Sequence, residues 1–443
     1  MRLARAPRRT TPARPRGIVA RTVLFAAALA ALHSAPASPR GPARQAPEQD
    51  STQSSLSSAS LRVYLMTMGQ GDAVWEKFGH NAIWIRDEQR GLDVAYNWGV
   101  FDFDQPGFYT KLMRGRMQYR LAAYDGVRMA NAYADANRTI WLQELNLTPG
   151  QKLELLRFVE WNNQPENREY RYDYYRDNCS TRVRDALNRV MGGDLQRQLE
   201  AMPTQSTYRT ETQRLTAAEI PAWTGLLLAM GHPVDRTLDA WEDAFIPMRL
   251  MESIKSVTVP GPTGPEPLVL SDAVVFRADR APERETAPDR RLSYTLAGVA
   301  FGALLLGLAR LGRKARAARA GFFTLATVWS LAAGVFGTMI AMLWAFTEHT
   351  ATYANENVLQ VEPLSLLLAG LLVAAAFGRG MRKARLLAFV IAAIAVTGFV
   401  MQVLPGFDQV NGAIVGLVAP VHLCLAASLA SLGRSPASSR SDR

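Results

Sequence analysis

The strongest constraint on this chain lies in residues 293–432, where five apolar runs are separated by loops whose charge alternates. The runs fall at about 294–310, 321–346, 363–378, 386–404 and 412–431, each within reach of the length needed to cross a bilayer as a helix. The loops around 311–320 and 379–385 are rich in Arg and Lys. The loop 347–362 carries Glu348, Glu356 and Glu362 and no basic residue, and the loop near 405–411 carries only Asp408. Basic loops stay in the cytoplasm. This places the acidic loops, and the polar residues that precede the first run, on the outer face.

The formal net charge of +11 is therefore a topology signal. It comes from the N-terminal tail, the two basic loops and the C-terminal tail, while the remainder is net acidic, which argues against a nucleic-acid partner. The N-terminus agrees with this orientation. Residues 1–22 contain seven arginines and no acid, Val23 to Leu32 is apolar, and Ala35-Pro36-Ala37 is a small-residue cleavage candidate. Residues 1–37 thus read as a secretory signal or, left uncleaved, an N-terminal anchor. Residues 38–60 are rich in Pro, Ser, Ala and Gln and read as a disordered linker.

A polar domain over 61–256 follows, then a Pro-rich charged connector over 257–292 and, after the spans, a cytoplasmic tail at 433–443. Alternation predicts strands at 61–65, 81–85, 94–98, 117–121 and around 140–142. Thr148-Pro149 opens a helix with Leu153, Leu156 and Phe158 on its packing face. A second helix starts at about Asn178, with Val183, Leu187 and Val190 on one face and Gly192-Gly193 as its stop. Residues 215–254 read as helical in two pieces. Strands first and helices later give an α+β domain ahead of an all-α bundle of five spans.

The chain has two cysteines. Cys424 lies inside the last apolar run and reads as a small buried residue. Cys179 is then alone in the polar domain, so no disulfide framework exists, and no metal-ligand spacing or cofactor motif is present. At a helix N-terminus its thiolate is favoured by the helix dipole, with Arg176 and Arg182 nearby in sequence; the alternative is an inert cysteine capping a helix. His80, opening a strand, is the base candidate, while His232, between Gly231 and Pro233, reads as a turn residue. A thiol needs a base within reach and the base needs an orienting group. Asn97, on the adjacent predicted strand, is the candidate orienter or else a turn or sheet-edge residue. Asn178 reads as the helix cap. Tyr172, with Tyr170, Tyr174 and Tyr175, either lines an acyl groove or packs in the core. Arg182 is a phosphate-binding candidate or an exposed helix charge. In the outer loop, His349, Asn355 and Asn357 lie close enough to the bilayer to touch a headgroup, unless the loop is simply solvated.

Three blocks carry a resemblance: Phe78-Gly79-His80; Tyr96-Asn97-Trp98-Gly99-Val100-Phe101-Asp102-Phe103; and the run from Tyr172 to Arg182 containing Asp177-Asn178-Cys179-Ser180-Thr181. With Trp241 to Leu250 and the outer loop, they resemble the Lnb-type lipoprotein N-acyltransferases over most of residues 60–430; Glu348 stands where that pattern has Asp. The resemblance implies a circularly permuted papain-like (lecithin:retinol acyltransferase-like) thiol domain with histidine before cysteine, unlike the cysteine-first order of NlpC-type hydrolases. It further implies an acyltransferase of the bacterial inner membrane with its catalytic domain on the periplasmic side. In such an enzyme Cys179, His80 and Asn97 are catalytic, and an acyl group passes from a phospholipid donor through a Cys179 thioester to the N-terminal amine of a diacylglyceryl lipoprotein. Asn178, Ser180, Arg182, Tyr172, His349, Asn355 and Asn357 are the implied substrate contacts. A cysteine hydrolase acting on cell-wall peptide or lipid, and a non-catalytic membrane protein that keeps the fold, are the competing readings.

Overall fold

A computed structural model describes residues 60–102 and 104–432. The signal segment, the linker before Ser60, Phe103 and the tail from residue 433 lie outside the described residues. The polar domain is built on a seven-stranded antiparallel sheet. Its strands include β1 (Arg62–Met68), β2 (His80–Asp87), β3 (Leu92–Val100), β4 (Gln118–Asp125), β5 (Ile140–Leu145) and the short β6 (Glu169–Arg171). The order across the sheet is edge strand–β5–β1–β2–β3–β4–β6, where the edge strand is Val269–Phe276. The sequence reads that last segment as connector. Its alternation is masked because most of its side chains are exposed, and its backbone pairing with β5 defines the sheet's edge.

Strand periodicity sorts the side chains onto two faces. Leu65, Ile83, Ile85, Tyr96 and Trp98 face the helices α3 (Pro149–Asn162) and α4 (Cys179–Val190), forming the larger core. Tyr64, Met66, Met68, Ala82, Trp84 and Ala95 face α2 (Gly126–Asp135). Thr148 caps α3 as expected, in a reciprocal capping box with Gln151. The packing face of α3 is centred on Leu155 and Val159 rather than on Leu153, with Leu156 and Phe158 at its margin. In α4 the expected face of Val183, Leu187 and Val190 is buried. Residues 215–254 form three short α-helices, Ile220–Ala229, Ala240–Asp243 and Pro247–Ser253, with a 3-10 turn at His232–Val234, in place of two pieces.

Among the described residues, five helices are long and apolar enough to cross a membrane: Arg291–Leu311, Arg316–Phe346, Glu356–Ala376, Met381–Met401 and Gly412–Leu432. Gly298 and Gly302 of the first span lie against the backbone of the fifth at Leu417 and Pro420, and Gly302 also meets Cys424. Small residues four apart let helices approach this closely in lipid. Cys424 is thus a half-exposed seam residue and not a fully buried one.

The domain and the bundle are bonded through the outer loops. Asn355 and Asn357 donate to the carbonyls of Leu227, Leu228 and Ala229 at the end of the 220–229 helix, at 2.8–3.1 Å. Gln409 donates to Met230 O at 3.1 Å, and Gly231 N donates to Ala351 O at 2.9 Å. His232 pairs with Asp408 at 2.7 Å. The two loops assigned to the outer face from charge are therefore the ones that hold the polar domain.

Arg209 is fully buried and paired with Asp235, and it also donates to the carbonyls of Met230 and Gly231. Arg209→Ala strands the Asp235 carboxylate and the Gly231 carbonyl, while Met230 O keeps Gln409. It is expected to cost about 3–5 kcal/mol, seen as a lower melting temperature of the detergent-solubilised protein; an unchanged melting temperature contradicts this account of the 208–235 region.

Candidate active site

His80 begins β2 and Cys179 begins α4, so the site forms where the end of a strand meets the start of a helix. Gly79 sets up the histidine: its φ is +78°, and a Cβ there would lie 2.8 Å from Met248 Sδ and 2.9 Å from Met68 O. Only glycine fits this combination of dihedral and space. On β3, Asn97 shares the face of His80, and its Oδ1 accepts a short hydrogen bond from His80 Nε2. That bond places the ring proton on Nε2 and leaves Nδ1 with its lone pair. Gly99, with φ +94°, lies against both His80 and Cys179. A Cβ on it would be 3.2 Å from Cys179 Cβ and 3.6 Å from His80 Cε1. One methyl group would touch both, so thiol and imidazole are neighbours.

The first turn of α4 is held by two amides. Asn178 caps it, accepting from Ser180 N at 2.8 Å and Thr181 N at 3.0 Å. Its own NH2 donates to Tyr174 O and Phe245 O. Asn81, next to His80, donates to Ser180 Oγ at 3.1 Å and accepts from Thr67 Oγ1 at 2.8 Å, and Ser180 donates to Ala244 O at 2.7 Å. Asn178 and Ser180 are thus fully engaged in positioning the cysteine, and their side chains are not open to substrate. Asn81 escapes the sequence reading. Its signal was a polar residue at an inward position of an otherwise apolar strand.

Burial pushes the Cys179 thiol up to about 11, against the backbone N–H groups of Asn81, Ser180 and Cys179 and against the charge of Arg138, all of which favour the thiolate. Burial also pulls His80 down to about 4; the Asn97 bond opposes this and Arg138 adds to it. The expected dipole-stabilised thiolate is therefore corrected. At neutral pH the pair rests as thiol and neutral imidazole, because desolvation outweighs the helix terminus. The cation that matters is also a different one. Arg182 is paired with Asp177 and lies 4.3 Å above the Tyr170 ring, and Arg176 is exposed. Arg138 is buried, donates to Gly69 O at 2.8 Å, and covers Tyr133 at 4.7 Å. Tyr133 in turn stacks on His80, 6.1 Å between centroids and 14° between planes.

Aromatic side chains form one wall. Tyr172 stacks on Tyr119 at 4.1 Å and meets Tyr174 edge-on at 5.9 Å; Tyr119 meets Phe101 at 5.2 Å. Tyr174 stacks on His349 of the outer loop at 6.0 Å, and His349 Nε2 bonds Leu112 O at 2.8 Å. His349 therefore reaches this wall. Asn355 and Asn357 do not: both are fully buried and their amides hold the 220–229 helix, which corrects their reading as open headgroup contacts.

A model of the Lnb N-terminal periplasmic domain matches residues 48–214, and a model of the Lnb transmembrane domain matches residues 298–426. The two matches cover both halves of the chain, and the first contains His80, Asn97 and Cys179. No curated protein and no solved structure matches the chain.

Two outcomes are expected. Gly99→Ala, adding a methyl between the reacting residues at positive φ, lowers thiol reactivity toward an ester probe about a hundredfold while the circular dichroism spectrum is kept. In the unaltered protein, alkylation of Cys179 by iodoacetamide rises about tenfold per pH unit from neutrality toward pH ~10, because the thiolate fraction keeps growing below a pKa of about 11. A plateau near neutral pH would instead mark a preformed ion pair.

Proposed function

The chain belongs to the Lnb-type family, a multi-pass membrane protein with a periplasmic domain, and from that premise we propose that it is a thiol acyltransferase. It moves a fatty acyl group from a phospholipid to the N-terminal amine of diacylglyceryl-cysteine lipoproteins at the periplasmic face of the bacterial inner membrane. The observation that carries this reading is the Cys179–His80–Asn97 constellation, walled by aromatic rings that lead to the outer loop of a membrane bundle. The order of the motifs, histidine on a strand before cysteine on a helix, supports reading the domain as a permuted papain-like fold.

In the first half-reaction His80 Nδ1 takes the thiol proton as Sγ attacks the carbonyl carbon of a glycerophospholipid ester. Starting from a neutral pair, proton transfer and attack are coupled and no charge has to be buried beforehand. The tetrahedral oxyanion has backbone N–H groups at hand, those of Cys179 and Asn81, which already favour negative charge at the sulfur. Collapse breaks the ester C–O bond. The imidazolium returns its proton to the leaving glycerol oxygen, and a lysophospholipid and a Cys179 thioester result. In the second half-reaction the neutral α-amine of the lipoprotein attacks the thioester, His80 accepts its proton, and the thiolate leaves and is reprotonated. Asn97 keeps the ring in one tautomer through both halves, and the tyrosine wall limits water, which would otherwise hydrolyse the thioester.

Incubation with phospholipid vesicles is expected to give an intact-mass increase of one acyl chain, absent in Cys179→Ser and in His80→Ala. In cells depleted of their usual lipoprotein N-acyltransferase, the wild-type chain restores N-acylated lipoprotein, read by mass spectrometry of a lipoprotein N-terminus. N-acylation that persists in Cys179→Ala, or cleavage of muropeptides without any acyl adduct, rejects the assignment.

A further inference from the structure

Between β3 and β4 the chain forms a single short helix, α1 (Phe108–Arg114), that contributes no strand pairing to the sheet. Phe108 is buried, while Tyr109 and Met113, one turn apart, are 68 % and 46 % exposed. Exposed apolar residues at this spacing form a stripe that the described residues of the domain do not cover.

The place of that stripe is fixed by the outer loop. Glu348 N donates to Arg114 O at 2.9 Å, and the Glu348 carboxylate bridges Arg116 and Arg171, each at 2.5 Å. The same loop leaves the second span at Phe346, where Phe346 and Trp344 are themselves 59 % and 45 % exposed. Aromatic residues at the end of a span sit at headgroup depth. Helix α1 is thus bonded to the chain two residues beyond Phe346, the last residue of the second span. Lys111 and Arg114 lie on the same short helix. The acids nearby are Glu348, already held between two arginines, and Asp102 and Asp104, which lie in the approach to the helix.

We propose that α1 is an interfacial helix whose Tyr109 and Met113 are immersed in the outer leaflet, with Lys111 and Arg114 on lipid phosphates, and that it is where a lipid leaves the bilayer for the thiol. Apolar burial combined with cationic contacts to phosphate is how short amphipathic helices bind a lipid surface. Both ends of α1 lead to the site. Its upstream strand carries Gly99, against Cys179. Downstream, Met117 O accepts from Tyr172 N at 3.0 Å, and Met117 Sδ accepts from the Tyr174 hydroxyl at 3.6 Å. A chain lifted along α1 arrives on the Phe101, Tyr119 and Tyr172 wall. Immersion itself rests on the membrane topology; the onward step to the thiol rests on the acyltransferase reading.

The test places an environment-sensitive fluorophore on Tyr109→Cys or Met113→Cys in a Cys179→Ser, Cys424→Ser background, reconstituted in nanodiscs of phosphatidylethanolamine and phosphatidylglycerol carrying spin-labelled acyl chains. Quenching at both positions is expected to approach that of Phe399→Cys, which is exposed on the fourth span, and to exceed several-fold that of Arg157→Cys on α3. Quenching no greater than at Arg157→Cys overturns the proposal. In the otherwise native chain, Tyr109→Asp with Met113→Asp is expected to lower the ratio of acylation by vesicle-borne phospholipid to acylation by a water-soluble short-chain ester, by about tenfold or more. An unchanged ratio overturns the uptake role. Absence of any adduct in the unsubstituted protein rejects the acyltransferase reading and leaves the quenching result standing by itself.

Discussion

Everything at the site depends on how the first turn of α4 is fixed. A helix N-terminus has unsatisfied backbone donors, and here Asn178 satisfies two of them while tying the cap to Tyr174 O and Phe245 O. Asn81 ties the same turn to β2 through Ser180. Three segments far apart in the chain, the start of β2, the start of α4 and the 244–247 stretch, are joined at one point by buried amide and hydroxyl groups. Their desolvation makes the arrangement exacting, since any one missing bond leaves a buried polar atom unpaired. The thiol inherits its position from that network.

The same burial decides the chemistry. Placing sulfur and imidazole in a low-dielectric setting shifts both toward their neutral forms; at the sulfur the backbone N–H groups and Arg138 offset this without reversing it, while at the imidazole Arg138 adds to it and the Asn97 bond opposes it. On the acyltransferase reading, such a pair holds no preformed thiolate and reacts when a carbonyl is brought to it. The Arg138–Tyr133–His80 stack adds a rigid backing to the imidazole from the face opposite α4, so the histidine is fixed from the sheet by Asn97 and from α2 by Tyr133.

Much of this was legible in the sequence. The spans were, because apolar length and loop charge are one-dimensional properties. So were the capped helices and the strands that carry His80 and Asn97, because capping and alternation are local. Three kinds of feature were not. Asn81 and Arg138 act through contacts between distant segments. Asn355 and Asn357 look like exposed loop amides until the 220–229 helix is seen to need partners for its last carbonyls. The thiol's resting state depends on desolvation by segments distant in sequence, which no local pattern reports, and the nearby Arg182 was misleading since its charge is answered by Asp177. The edge strand at 269–276 was hidden because an exposed strand loses the apolar alternation that would announce it.

The ties between the domain and the outer loops have a consequence for scale. Asparagine amides, a glutamate between two arginines, a glutamine and a histidine–aspartate pair hold the domain to the bundle at several separate places. Fastened at that many points, the domain holds the sulfur at a set position relative to the outer ends of the spans. The protein then behaves as a depth gauge. On the acyltransferase reading, a bond is then selected for how far its carbonyl can rise out of the lipid, and the lipid makes the travel.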